Sequence, residues 1–197
     1  MIRYTLSLIA LVLLAVIIQQ FIPALTPLFG SRLMLVLLVF LCASSTVPAP
    51  VMLILAFVCG FLHDAENALG PHGGDPEVYN PGVEQLRFGY SIVLYGLMGY
   101  LMQGIQPLFR QGKWQFSAIL SGIAVFLYLL SEFLLINFVR GDFTFSRSTF
   151  FKITFTSSLT MLFSPLVFWL LFRMAEWSHY TIRFDGLKKQ NRRATAF

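Results

Sequence analysis

The stretch RLMLVLLVFLCASSTVPAPVMLILAFVCGFL, residues 32–62, decides the fold. It is apolar almost throughout, apart from Arg32 and the run Ser44-Ser45-Thr46, and it is broken at Pro48-Ala49-Pro50. Proline removes a backbone donor and drives the residue before it out of the helical region. Two prolines this close mark a turn better than a mild kink. The stretch then predicts two short helices, about 33–47 and 51–62, packed as a hairpin. The alternative is one long broken helix. The hairpin gives the chain six membrane crossings and the broken helix five. Helices of about twelve to fifteen residues reach only ~18–22 Å, which is the weak point of the hairpin.

On either side lie longer apolar runs, at about Leu6–Ile22, Phe88–Leu101 with its flanks, Ile119–Val139 and Ile153–Phe172. Each suits a helix crossing a ~30 Å hydrocarbon core. The runs are continuous, without period-2 alternation, and a helix satisfies its own backbone in lipid, so helices are expected and a barrel is not. Composition agrees. The chain of 197 residues is 57% apolar and 12% charged, with a mean hydropathy of +0.74. A soluble domain carries roughly 25% charged residues. Most of this surface must therefore meet something other than water. The first run follows Arg3 as a signal peptide would, but no small-x-small cleavage site follows it. Gln19, Gln20, Phe21 and Pro23 come instead, so a retained first span is expected. Cys42 and Cys59 sit in apolar stretches without metal or redox spacing, and read as buried free thiols.

Charge counting ranks the topologies. With six spans and a cytoplasmic N-terminus, nine basic residues fall inside (Arg3, Arg110, Lys113, Arg173, Arg183, Lys188, Lys189, Arg192, Arg193). Five fall outside: Arg32, Arg87, Arg140, Arg147 and Lys152. Five spans from the same start reverse the count. The positive-inside rule thus favours six spans with both termini cytoplasmic, although a flipped five-span chain also satisfies it. The expected organisation is an all-α polytopic membrane domain over 1–173 and a basic cytoplasmic tail over 174–197. Residues 63–87 are expected as an outer, acidic loop whose Gly70-Pro71 and Asn80-Pro81-Gly82 turn signals exclude a continuous helix.

Several constellations stand out within the spans. Gly89, Gly96, Gly99 and Gly104 share an arc of the fourth span, and Ser117, Ser121, Ala118 and Gly122 lie at four-residue spacing in the fifth. Small residues so spaced let helices approach in lipid, so these are expected as packing surfaces, internal or toward a partner. Glu132 lies within the fifth span on one stripe with Ser121 and Tyr128. A carboxylate there costs on the order of 2–3 kcal/mol, so it should face protein or a wet cavity. It reads as a proton or cation site, a partner contact, or a hydrogen-bonded structural acid near Tyr128. Thr154, Ser157, Thr160 and Ser164 form a hydroxyl stripe before Pro165, suited to helix–helix hydrogen bonds, with Ser164 placed to help the backbone freed by the proline. His63, Asp64, Glu66, His72 and Asp75 cluster without recognised ligand spacing, so no metal is expected. No nucleotide, nucleophile-elbow or zincin motif occurs. The expectation is a non-enzymatic protein in contact with membrane lipids, with no cofactor and no nucleic acid.

The segment Gly60-Phe61-Leu62-His63-Asp64, followed by Leu69-Gly70 and a glycine-rich helix with Gly99-Tyr100, resembles the bacterial rod shape-determining protein family MreD. Gln19-Gln20 after the first span, Arg32 opening the second and Pro165-Leu166 in the last fit as well. The sequence departs from the family in a longer 71–87 segment and a longer basic tail. The resemblance implies a non-enzymatic inner-membrane member of the cell-wall elongation machinery. It would pair with MreC and act with MreB, RodA and penicillin-binding protein 2 in peptidoglycan synthesis. It also implies a six-helix plan shared with the S components of energy-coupling-factor vitamin transporters. An S component is the alternative function. Such proteins often carry Ala-xxx-Ala on the first helix, whereas Ala10 and Ala15 are five apart here, which counts against it.

Overall fold

The computed structural model describes residues 2–22, 31–68, 88–110, 114–140 and 147–178. Among them the fold is all-helical, with six helices: α1 (Ile2–Phe21), α2 (Leu35–Ser44), α3 (Ala49–Ala68), α4 (Tyr90–Arg110), α5 (Trp114–Arg140) and α6 (Arg147–Trp177). Four of them, α1, α3, α5 and α6, are long and apolar enough to cross a membrane. Helix α2 is too short, and α4 is diluted by polar residues such as Gln103 and Gln106. Large apolar side chains cover the outside: Val93, Leu162 and Trp169 are each two-thirds or more exposed. A water-soluble monomer rarely shows so much apolar surface, and a bilayer accounts for it.

The stretch around the prolines forms two separate helices with bounds different from those expected. Helix α2 has 10 residues, and α3 has 20. Pro50 sits in the first turn of α3, where its missing N–H costs nothing. The turn itself is closed by hydroxyls. Ser44 donates to the Phe40 carbonyl, Ser45 to Cys42 and Thr46 to Ala43. Side chains of this kind compete for helix carbonyls and end a helix as effectively as the proline that follows. Because α3 runs on to Ala68, the residues His63, Asp64 and Glu66 are helical, and the loop expected from 63 does not begin before 69. Gly70, the turn signals after it and the tail from 179 lie outside the described residues.

Helix α2 is the axle of the bundle. Every other helix touches it, and Val36–Ser44 are buried without exception. Around it α3, α4, α5 and α6 pack in chain order, while α1 lies against α2 and meets α3 and α6 only lightly. At 1.5 Å per residue α2 covers about 15 Å, and the non-helical residues 31–34 lead into it.

Such a short helix leaves backbone groups unpaired inside an apolar bundle, and neighbours supply the partners. At its N-terminal end Val36 N–H donates to Gln19 Oε1 of α1 at 3.0 Å, and Met34 N–H to Thr160 Oγ1 of α6 at 3.4 Å. At the other end Gln103 Nε2 of α4 donates to the Val47 carbonyl at 3.2 Å, and the hydroxyls of Tyr4 and Thr46 share a hydrogen bond of 3.1 Å.

Candidate functional site

Two polar assemblies lie within the bundle, and most of the residues singled out from sequence fall into one or the other. The first joins the end of α3 to the start of α4 and the middle of α5. Gly60 comes so close to α4 that an added Cβ would stand 2.5 Å from Ile92 Cα and 2.7 Å from its N. One turn later on the same face, the buried Asp64 accepts the Gly89 N–H on Oδ2 at 2.6 Å. Gly89 has φ +103°, a value open to glycine, and precedes the first helical residue of α4. A carboxylate at that position satisfies an otherwise free donor and opposes the positive end of the helix dipole. Gly60 and Asp64 are thus one device: close approach, then a cap.

Beside this contact stand His63, Tyr95 and Tyr128, from α3, α4 and α5. Ring centroids are 6.0 Å apart for His63–Tyr95, 6.3 Å for His63–Tyr128 and 5.3 Å for Tyr95–Tyr128. His63 Nε2 lies 3.9 Å from Glu132 Oε1, an ion-pair distance that is too long for a hydrogen bond. The imidazole is 10% exposed and the carboxylate 22%. His63 Nε2 has no hydrogen-bond partner among the described residues, and the buried Tyr128 hydroxyl is directed at the buried Ser91 of α4. Glu132 therefore does not pair with Tyr128. It faces His63, level with the first turn of α4 and near the same end of the bundle as Asp64. Among the described residues no three His, Cys, Asp or Glu side chains converge as metal ligands. The arrangement sets an imidazole and a carboxylate at ion-pair distance beside two buried tyrosine rings.

The second assembly is a hydroxyl seam linking α5, α6 and α2. Ser121 Oγ and Ser164 Oγ share a hydrogen bond of 2.9 Å, with Cys42 Sγ 3.8 Å from Ser164 Oγ. Ser157 donates to the Gly122 carbonyl at 2.7 Å, and an added Cβ on Gly122 would stand 2.7 Å from Met161 Cγ. Thr160 donates to the Thr156 carbonyl while capping α2. Ser164 bonds across the seam to α5, with no bond to the backbone beside Pro165 among these contacts. Thr154 faces away and bonds back to Phe150. The side chain of Ser117 lies outside the described ones.

No protein-family model, curated protein or solved structure matches the chain. Its geometry alone therefore bears on what the site does.

The four glycines grouped from sequence do not act as one packing face within the protein. Among the described residues, Gly99 alone of the four is at a close approach, where a Cβ would meet Met52 Sδ at 2.6 Å and Phe40 Cζ at 2.8 Å. Gly96 and Gly104 look into open space, and Gly89 belongs to the turn before α4. Their common arc is real, but α3 covers only part of it. Sequence reasoning missed the functional weight of His63, Gln19, Gln103 and Tyr4. Each is a polar side chain in or beside an apolar run, the one signal that marks it, but its partner lies on a different helix.

Proposed function

We propose that this chain is a non-enzymatic, multi-pass subunit of a bacterial cell-wall elongation complex, in the manner of MreD. It would support an MreC-like partner and, through it, MreB, RodA and penicillin-binding protein 2. The observation that carries this reading is the use made of Gly60 and Asp64, the residues on which the resemblance rests. Gly60 gives α3 its close approach to α4, and Asp64 caps the start of α4. A motif devoted to holding shape fits a protein whose work is to present a rigid surface within a membrane assembly. The reading includes six crossings, with α2 and its non-helical lead-in as the second, α4 as the fourth, and both termini on the cytoplasmic side of the inner membrane. The charge asymmetry supports that orientation.

The test is co-purification of the tagged, full-length chain with the MreC-like protein of the same cell, together with depletion of the chain. Loss of rod shape and recovery of the partner are expected. Uptake of a small molecule, with normal cell shape on depletion, would replace this reading with the S-component one. Reporter fusions after Pro50, Asp75 and Phe197 should read inside, outside and inside.

A further inference from the structure

Because α1 meets α6 only lightly, the two helices part over α2 and leave a lateral groove of about 500 Å³. Leu14 and Ile18 of α1 and Leu166 and Leu170 of α6 wall it, and Leu35 and Val39 of α2 form its floor. Every lining residue is apolar. Leu14, Ile18 and Leu166 remain exposed at the rim, so the groove opens sideways, between two helices long and apolar enough to cross the membrane.

We propose that this groove holds one acyl chain of an anionic phospholipid, with the headgroup phosphate at Arg32. Shape and lining select the chain. The lining runs from Leu11 to Ile22 on α1 and from Leu159 to Leu170 on α6, about 16 Å on each at the helical rise. The groove is thus long, narrow and wholly apolar, a shape that an extended acyl chain fills along its length. The lining agrees, since transmembrane helices dock on small residues and Ala15 is the one small residue here. Charge selects the headgroup. At the end of the groove formed by Ile22 and Leu33, the residue next to Leu33 in the chain is Arg32, which is exposed and precedes the positive end of α2. A guanidinium suits a phosphate by both charge and fork geometry.

The full-length protein in maltoside, studied by native mass spectrometry, tests this with phosphatidylglycerol, phosphatidylcholine or soluble glycerol phosphate added. One retained phosphatidylglycerol is expected, favoured about fivefold over phosphatidylcholine, the factor for one basic side chain at a membrane surface. Glycerol phosphate should not be retained. Arg32→Gln should keep the single lipid and lose the preference. Leu14→Trp with Leu166→Trp, both at the exposed rim, should lose the lipid. Equal retention of the two lipids by the unmodified protein, or undiminished retention by the tryptophan pair, overturns the proposal. So does a photo-crosslinker at position 166 that captures a protein segment in intact membranes instead of lipid. If the tryptophan pair fails to fold, the Arg32→Gln comparison decides.

Discussion

Replacing Asp64 should loosen α4 from α3 by a measurable and graded amount. Its carboxylate accepts the Gly89 N–H at 2.6 Å from a buried position. A hydrogen bond to a charged group contributes about 1.5–3 kcal/mol, and an acid at a helix N-terminus adds about 0.3–1 kcal/mol. Gly89 is only half-buried, so water replaces part of the lost bond, and relieving the burial of a charge offsets some more. Asp64→Ala should then cost about 2 kcal/mol. Asp64→Asn, which keeps an acceptor and loses the charge, should cost about 1 kcal/mol. For a chain of this size these correspond to falls of about 4–8 °C and 2–4 °C in Tm. The assay is thermal unfolding of the purified protein in detergent, followed by near-ultraviolet circular dichroism. Gly60→Ala provides the companion measurement. Its Cβ would press on Ile92 backbone, which no rotamer change relieves, at about 1–3 kcal/mol. Because both changes open the same contact, the double variant should fall short of the sum. An Asp64→Ala protein that melts with the unmodified one refutes the cap, and strict additivity with Gly60→Ala refutes the shared device.

Gln19→Leu should leave the Val36 N–H uncapped inside the bundle and cost about 1–2 kcal/mol in the same melting assay, with Gln19→Glu retaining an acceptor and milder. Gly99→Leu should destabilise the isolated protein strongly because Met52 and Phe40 occupy the space, whereas Gly96→Leu, facing open space, should leave its Tm unchanged. Glu132→Gln should shift stability by less than about 1 kcal/mol, since its contact with His63 is long and partly exposed. A loss as large as that of Asp64→Ala would show that the negative charge beside His63 holds the fold.

Some of the site is legible in the sequence. Gly60 and Asp64 are four residues apart in a helix, so their common face follows from spacing alone, and Ser157, Thr160 and Ser164 fall on one stripe for the same reason. What lies opposite them does not follow. Glu132 and Tyr128 look like partners because they are one turn apart, yet the carboxylate faces His63 on another helix. Gly96 and Gly99 look equivalent on one arc, yet only Gly99 meets Met52 and Phe40.

Apolar run length, the paucity of charge and the two prolines determine that this chain is a set of membrane-compatible helices with a break near Pro48-Ala49-Pro50, because hydrophobicity and backbone geometry are local properties. The depth of burial of α2 is decided only by tertiary structure. Helix α2 is the more apolar of the two, yet α1 is itself a continuous apolar run and still lies at the rim while α2 lies at the axis. In lipid, hydrophobicity does not distinguish inside from outside, so packing and hydrogen-bond satisfaction choose the centre. The helix that goes there is the one whose free ends find Gln19, Thr160 and Gln103 waiting on its neighbours.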